Sequence, residues 1–400
     1  MSFTFQDTAD NVYYDVTITN LETINRNPPS LYFNETRNTP FVYDPESYYL
    51  SIIRFTLDTP TLPVFIPIIQ PNQGNLNLTI YSVTLSWTNP VAPFQVFNEQ
   101  TFVQFVPQIQ GVTVPAPPNQ TTDGLQNNST GYYEILNYQY WIELINNTFT
   151  TCFNALDVQV TGAGLVLPST HAPSMSWDTM SNSAILTAEN DGYNPVDPTP
   201  PGNYNPIEVY MNPAMYQIFS SFPVIVKGSV GIVAGKNIQL IMNGFGGANI
   251  VIFPPTAPAL SQYEALQIVQ EYSTLALWTP ITSIVFTSNT LPVVPANISS
   301  PLLFINGEVY NNGGNNSNIS QVVTDFVSDN GVYKPNIVYT PSAQYRLINL
   351  VGNTPIYNLD LNVYWKSRTG VLQPFKLSSG STATIKLLFT RKGTGGSSSG

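Results

Sequence analysis

The segment YYLSIIRFTL, Tyr48–Leu57, is rich in β-branched and aromatic residues and has neither glycine nor proline, so it reads as a buried β-strand. Asp58-Thr-Pro turns the chain after it, and Leu76–Trp87 (LNLTIYSVTLSW) alternates as a further strand or strand pair. Strands follow at Pro223–Val233, Asn237–Met242, Ala248–Phe253, Ile281–Thr287, Leu302–Ile305 and Tyr345–Leu350, and the chain closes on Leu359–Trp365 and Thr382–Phe389. The spacers are rich in Pro, Gly and Asn, which set turn dihedrals, and no alternating βαβ units occur. The fold class is therefore all-β, a jelly-roll β-sandwich with a few short helices, as two sandwich domains or as one jelly roll carrying a large insertion.

Two helices interrupt this pattern. Within Gly131–Asp157, Ile135, Tyr138, Ile142, Ile145, Phe149 and Cys152 or Phe153 recur every three or four residues and form one apolar face, which Asn146, Asn147 and the neighbouring threonines weaken in its second half. Asn212 caps a shorter helix that starts at Pro213. The proline-rich stretch Gly192–Pro206 reads as a linker. The expected division is an N-terminal sandwich at 1–192 with its helix near 131–155, a linker at 193–206, a C-terminal sandwich at 207–393 and a flexible tail at 394–400. Residues 107–130 read as a long surface loop. Ile53-Arg-Phe-Thr before Leu62-Pro-Val echoes Ile284-Val-Phe-Thr before Leu291-Pro-Val, as two related sandwiches would.

Only 9% of the residues are charged, so the surface rests on neutral polar groups and is poorly protected against association. The net charge of −11 is uneven: residues 1–200 hold three basic and seventeen acidic groups, and residues 201–400 ten and seven. Six of the thirteen basic residues lie between Lys366 and Lys392, which suggests charge-complementary contact between copies or between halves. They are too few for strong duplex nucleic-acid binding. The N-terminus has no signal-peptide pattern and no run of eighteen apolar residues spans a membrane, which points to synthesis in a reducing compartment.

Candidates for chemistry are few. His171 is the one histidine and Cys152 the one cysteine, so a triad or dyad could use only these; a buried inert thiol and a solvated loop imidazole are the plainer readings. No His/Cys set suits zinc, and Asp325–Gly331 and Glu189–Gly192 read as tight turns before calcium loops. Gly244–Gly247 reads as a turn or bulge, not a phosphate loop. Trp87, Trp177 and Trp278 read as core. No catalytic residue, cofactor or metal is expected.

DPESYYLSIIRFTLDTPTLPVF (Asp44–Phe65), EVYMNPAMYQIFSSFP (Glu208–Pro223), QEYSTLALWTPITSIVFTSNTLPVVP (Gln270–Pro295) and the closing run Asn358–Phe389 together resemble capsid proteins of small double-stranded DNA viruses. These are the Polinton-like virus, virophage and adenovirus relatives, and within them the penton or minor capsid protein. The resemblance implies a non-enzymatic structural protein that assembles with itself, as pentamer or trimer, and with other capsid proteins into an icosahedral shell. Lys366, Arg368, Lys376 and Lys386 are the candidate inter-subunit contacts, meeting acids of a neighbouring copy. Alternatives are a compact double jelly-roll major capsid protein, or a spike module whose Tyr/Asn/Trp-rich loops bind a host glycan or receptor.

Overall fold

The computed structural model describes residues 10–22, 28–119, 126–195, 205–227, 234–243, 249–253, 263–294, 296–297, 302–305, 308–311, 319–327, 335–340 and 346–393. The chain forms two compact units, Met1–Leu62 with Pro280–Gly400, and Pro63–Thr279. The compact units therefore do not follow the division expected at 193–206. The chain leaves the first unit after three strands, builds the second, and returns.

The outgoing strands are β1 (Asn11–Thr19), β2 (Tyr32–Thr36) and β3 (Tyr48–Asp58). The inserted unit holds β4 (Leu78–Thr88), β5 (Val96–Gln104), α1 (Tyr138–Gly162), β6 (Ser174–Asp178), β7 (Ser183–Glu189), α2 (Asn190–Tyr193) and β8 (Glu208–Met211). It continues with α3 (Pro213–Ile218), β9 (Val224–Val226), β10 (Ile238–Leu240), β11 (Asn249–Phe253), β12 (Tyr263–Val269) and α4 (Leu275–Trp278). The returning chain gives β13 (Ile281–Thr287), β14 (Ala296–Asn297), β15 (Leu302–Ile305), β16 (Glu308–Asn311), β17 (Ile319–Ser320) and β18 (Val322–Phe326). Last come β19 (Asn336–Tyr339), β20 (Ile348–Asn349), β21 (Asn358–Ser367), β22 (Leu372–Pro374) and β23 (Thr382–Arg391).

In the first unit one sheet runs β1-β23-β3-β19 and the other β2-β21-β13-β18, all antiparallel. Taking the eight main strands in chain order, the sheets read first, eighth, third, sixth and second, seventh, fourth, fifth, which is the jelly-roll order. Alternate residues point inward: Leu50, Ile52, Phe55 and Leu57 of β3 pair with Phe389, Leu387, Ile385 and Ala383 of β23, all buried. A bulge at the Lys386/Leu387 step keeps both runs inward across the register shift. Facing them are Ile284 and Phe286 of β13 and Leu359, Leu361, Val363 and Trp365 of β21. Phe55 meets Phe286 at 5.2 Å and Phe326 at 4.8 Å between ring centres, closing the sandwich. The echoing segments at Ile53 and Ile284 thus lie in the two sheets of one jelly roll and do not mark two sandwiches.

Asp360 lies on the outer face of β21, between inward Leu359 and Leu361, yet is only 3% exposed. The turn after β13 folds over it: its carboxylate accepts from Ser288 Oγ (2.5 Å), Asn289 N (2.9 Å), Thr290 N (2.9 Å) and Thr290 Oγ1 (2.7 Å). Burial pushes its pKa up, but these hydrogen bonds outweigh burial and hold it below the ordinary carboxylate range.

The inserted unit has a five-stranded sheet, β5-β4-β8-β10-β9, and a four-stranded one, β11-β12-β7-β6. This is not the jelly-roll order, so the jelly-roll-like C-terminal sandwich expected at 207–393 is not what forms: β8 and β12 pair with β4 and β7, while β19, β20, β21 and β23 pair with β1–β3. Helix α1 packs on β4, β5 and β6 through Trp141, Ile142, Ile145, Phe149, Cys152 and Leu156. It starts seven residues later than its sequence pattern, because Ile135 is held extended against Phe65 and Asn137 caps Tyr140 N (2.9 Å). Its second half holds: Asn146 brackets Met175 through both side-chain atoms, and the hydroxyls of Thr148, Thr150 and Thr151 donate to carbonyls four residues back. Asn212 caps α3 as its sequence suggests, accepting from Met215 N (2.9 Å).

Trp278 centres the inserted core, with Phe219, Trp177, Tyr138 and Phe65 all within 5.6 Å between ring centres. Its indole N–H donates to Ile218 O (2.7 Å). Trp87 and Trp177 are buried too. The described parts of 107–130 are tied down: Gln108 accepts from Leu136 N, Pro118 O from Asn72 N, and Gln126 from Ile69 N. Gly192 and Tyr193 of the supposed linker are buried, and 196–204 lie outside the described residues.

Candidate functional site

The residues that could carry catalysis are in ordinary structural roles. Cys152 is fully buried on α1, its thiol donating to Glu99 O (3.2 Å), and burial pushes its pKa up to about 11. The native thiol should resist a maleimide at neutral pH and react fully once the protein is denatured; labelling at equal rates in both states would contradict this packing. His171 sits in a loop with Nδ1 3.0 Å from Thr170 Oγ1 and 3.3 Å from Glu189 Oε2. Glu189 also accepts from Ser169 Oγ (2.5 Å) and Thr170 N (3.1 Å), so it anchors the loop. Asp325 pairs with Arg346 at 2.9 Å, while 328–331 lie outside the described residues, as do 244–247. Among the described residues no three His, Cys, Asp or Glu side chains converge as a metal would need.

The four candidate contact residues all lie in the first unit. Lys386 lies in β23 with Asp15 of β1 on one side and Arg54 of β3 on the other. Asp15 takes both cations, Lys386 Nζ at 3.3 Å and Arg54 at 3.5 Å, and Lys386 lies over the Tyr13 ring. A fixed register across three strands therefore supplies Lys386 with an acid inside its own chain, where the sequence suggested a neighbouring copy. Such exposed pairs stabilise by about 1 kcal/mol or less. Lys366 stands opposite Ser283 and Leu372, half-buried; Arg368 is exposed at the turn after β21; Lys376, half-buried, bridges to Ser30. These three line β21 and its connection to β23 and do not converge on a pocket.

The outer faces also present apolar groups. Tyr13 is 58% exposed, and the β4–β5 hairpin tip shows Val91, Phe94 and Val96 to solvent. The tip is nonetheless ordered by Asn89 N to Gln95 O (2.8 Å).

The described residues thus form a jelly roll that carries an inserted unit and has few ionisable groups. Residues 12–391 match the family model described as Sputnik minor capsid protein V18/19, and the chain belongs to that family. It is a virus capsid protein, a component of the virion. "Structural protein V19" of Sputnik virophage is 32% identical over 190 residues, 47% of this chain and 82% of that one. "Uncharacterized protein V18" of the same virophage is 33% identical over 152 residues, 38% of this chain and 87% of that one. A chain in the cryo-EM structure of the Sputnik virophage superposes with a TM-score of 0.78 at 28% identity, covering 98% of this chain and 100% of the other. The mavirus penton protein shares the fold, with a TM-score of 0.56 at 16% identity over 96% of this chain and 100% of that one.

Proposed function

We propose that this minor capsid protein is a penton: five copies close a ring at a vertex of an icosahedral shell and meet other capsid proteins around it. The observation that carries the reading is the jelly-roll strand order, in a fold shared along nearly the whole chain with a virion component and with a penton protein. Its role is structural rather than enzymatic, and the stabilising work is burial of subunit interface. Lys366, Arg368 and Lys376 supply cations to acids of the next copy, whereas Lys386 first serves Asp15 of its own sheet. Loop tips such as Val91 and Phe94 are the surfaces left for a host receptor or glycan.

Mass photometry of the purified chain tests this. A pentamer is expected, loosening as salt screens the intersubunit charge. A trimer, or a strict monomer at low salt and high concentration, would overturn the penton reading.

A further inference from the structure

The outer face of the β5-β4-β8 sheet gathers a lysine, an asparagine and a glutamate from three distant parts of the chain. Lys236, just before β10, donates from Nζ to Asn98 Oδ1 (3.1 Å) and Ser86 Oγ (2.8 Å), and Glu208 Oε2 stands 3.8 Å from the same nitrogen. The Tyr210 ring lies 5.0 Å below Nζ, and Tyr210 OH and Gln239 Nε2 both donate to Glu208, fixing its carboxyl. The floor of the cluster is dry, with Ser86 1% and Tyr210 3% exposed and the Lys236 side chain 16%, while the Glu208 side chain keeps 37% of its surface open to water. Gly235 makes the approach possible. With φ of +82° it lets the turn lie so close to the sheet that a Cβ would stand 2.3 Å from Thr84 Oγ1 and 2.6 Å from the Gln100 side chain.

We propose that Lys236 and Asn98 become joined by an intramolecular isopeptide bond, with Glu208 as the acid–base group. The carbon to be attacked is one C=O bond, about 1.2 Å, from the oxygen that Nζ already contacts. The two groups are thus already paired, and attack requires the lysine tip to pass from the edge of the Asn98 amide to its face. Glu208 takes a proton from the ammonium and leaves a neutral amine. The Nζ electron pair attacks Asn98 Cγ, forming the C–N bond and moving the carbonyl pair onto Oδ1. Glu208 then relays a proton from the attacking nitrogen to Nδ2. The carbonyl reforms, the Cγ–Nδ2 bond breaks, and ammonia leaves, taking up the remaining proton. A primary amide and an amine become a secondary amide and ammonia, with no oxidant or co-reactant, and Glu208 ends as it began. Burial, which disfavours the ammonium, lowers the Lys236 pKa and so favours the nucleophilic amine, against the opposing pull of Glu208.

The test is intact mass spectrometry of the folded full-length chain with tryptic mapping. The expected mass is lighter than the sequence by one ammonia, with no cleavage after Lys236 and a branched peptide linking the segments of Asn98 and Lys236. Lys236→Arg and Asn98→Ala should each restore the mass that their own sequence gives, at unchanged circular dichroism. Glu208→Gln should fold and stay unlinked; if it links at the wild-type rate, Glu208 is not the acid–base group. A wild-type chain of full sequence mass, folded by circular dichroism and cut after Lys236, overturns the proposal outright.

Discussion

Asp360→Ala should destabilise the jelly roll by about 3 kcal/mol or more, because it orphans several buried donors at once. Ser288 Oγ, Asn289 N, Thr290 N and Thr290 Oγ1 all aim at this one carboxylate, in a site too closed for water to replace it. Asp360→Asn keeps the shape but turns one acceptor into a donor facing donors, and should cost about 2 kcal/mol. The native carboxyl titrates below its unfolded value, so its contribution is complete above the unfolded pKa of about 3.9 and is lost as pH falls through the folded one. Denaturant titrations at about pH 7 and about pH 3 check both statements. The wild type should lose more stability on acidification than Asp360→Asn does. Equal losses would mean that Asp360 is not the group that senses acid.

Trp278→Ala should cost the inserted unit about 3–5 kcal/mol, the range for deleting a large fully packed aromatic. The side chain is 2% exposed, meets four other rings and donates to Ile218 O, so neighbouring groups cannot collapse into the space without breaking aromatic contacts of their own. Trp278→Phe should recover about half, since it restores ring contact but not the hydrogen bond. Calorimetry reads the result as a lowered transition. A loss under about 1 kcal/mol for Trp278→Ala would show that the core is not organised around this residue.

Local chemistry was legible in the chain and long-range pairing was not. Tyr48–Leu57 announced β3 because its composition suits a buried strand whatever its partners. The spacing of Ile142, Ile145, Phe149 and Cys152 announced α1, although its first turn was misplaced, since the bridge of Ile135 to Phe65 depends on a residue seventy positions earlier. Gly192–Pro206 has the composition of a linker, yet Tyr193 is 1% exposed and donates to His171 O, and Gly192 O accepts from Ile207 N; tertiary packing overrode composition. The true boundaries, after Leu62 and before Pro280, carry no such signal, because β3 and β13 are strong strands on either side. Among the candidate contacts, Lys386 was noticed for its charge, but its partner Asp15 sits at the other end of the chain and only the β1–β23 register reveals it. Asn98, Glu208 and Lys236 were invisible for the same reason: their meeting is a property of sheet order, not of spacing.

The placement of β23 between β1 and β3 has a consequence for how the protein is made. The hydrogen-bonding partners of the first three strands, β19, β20, β21 and β23, all come after the insertion. A nascent chain emerging from the ribosome can complete the inserted unit while β1, β2 and β3 still wait, and the jelly roll cannot close until the final strand is released. A premature stop anywhere before Thr382 would therefore leave the earliest-made strand, β1, unpaired and β3 without its neighbour on that side, however intact the middle of the molecule.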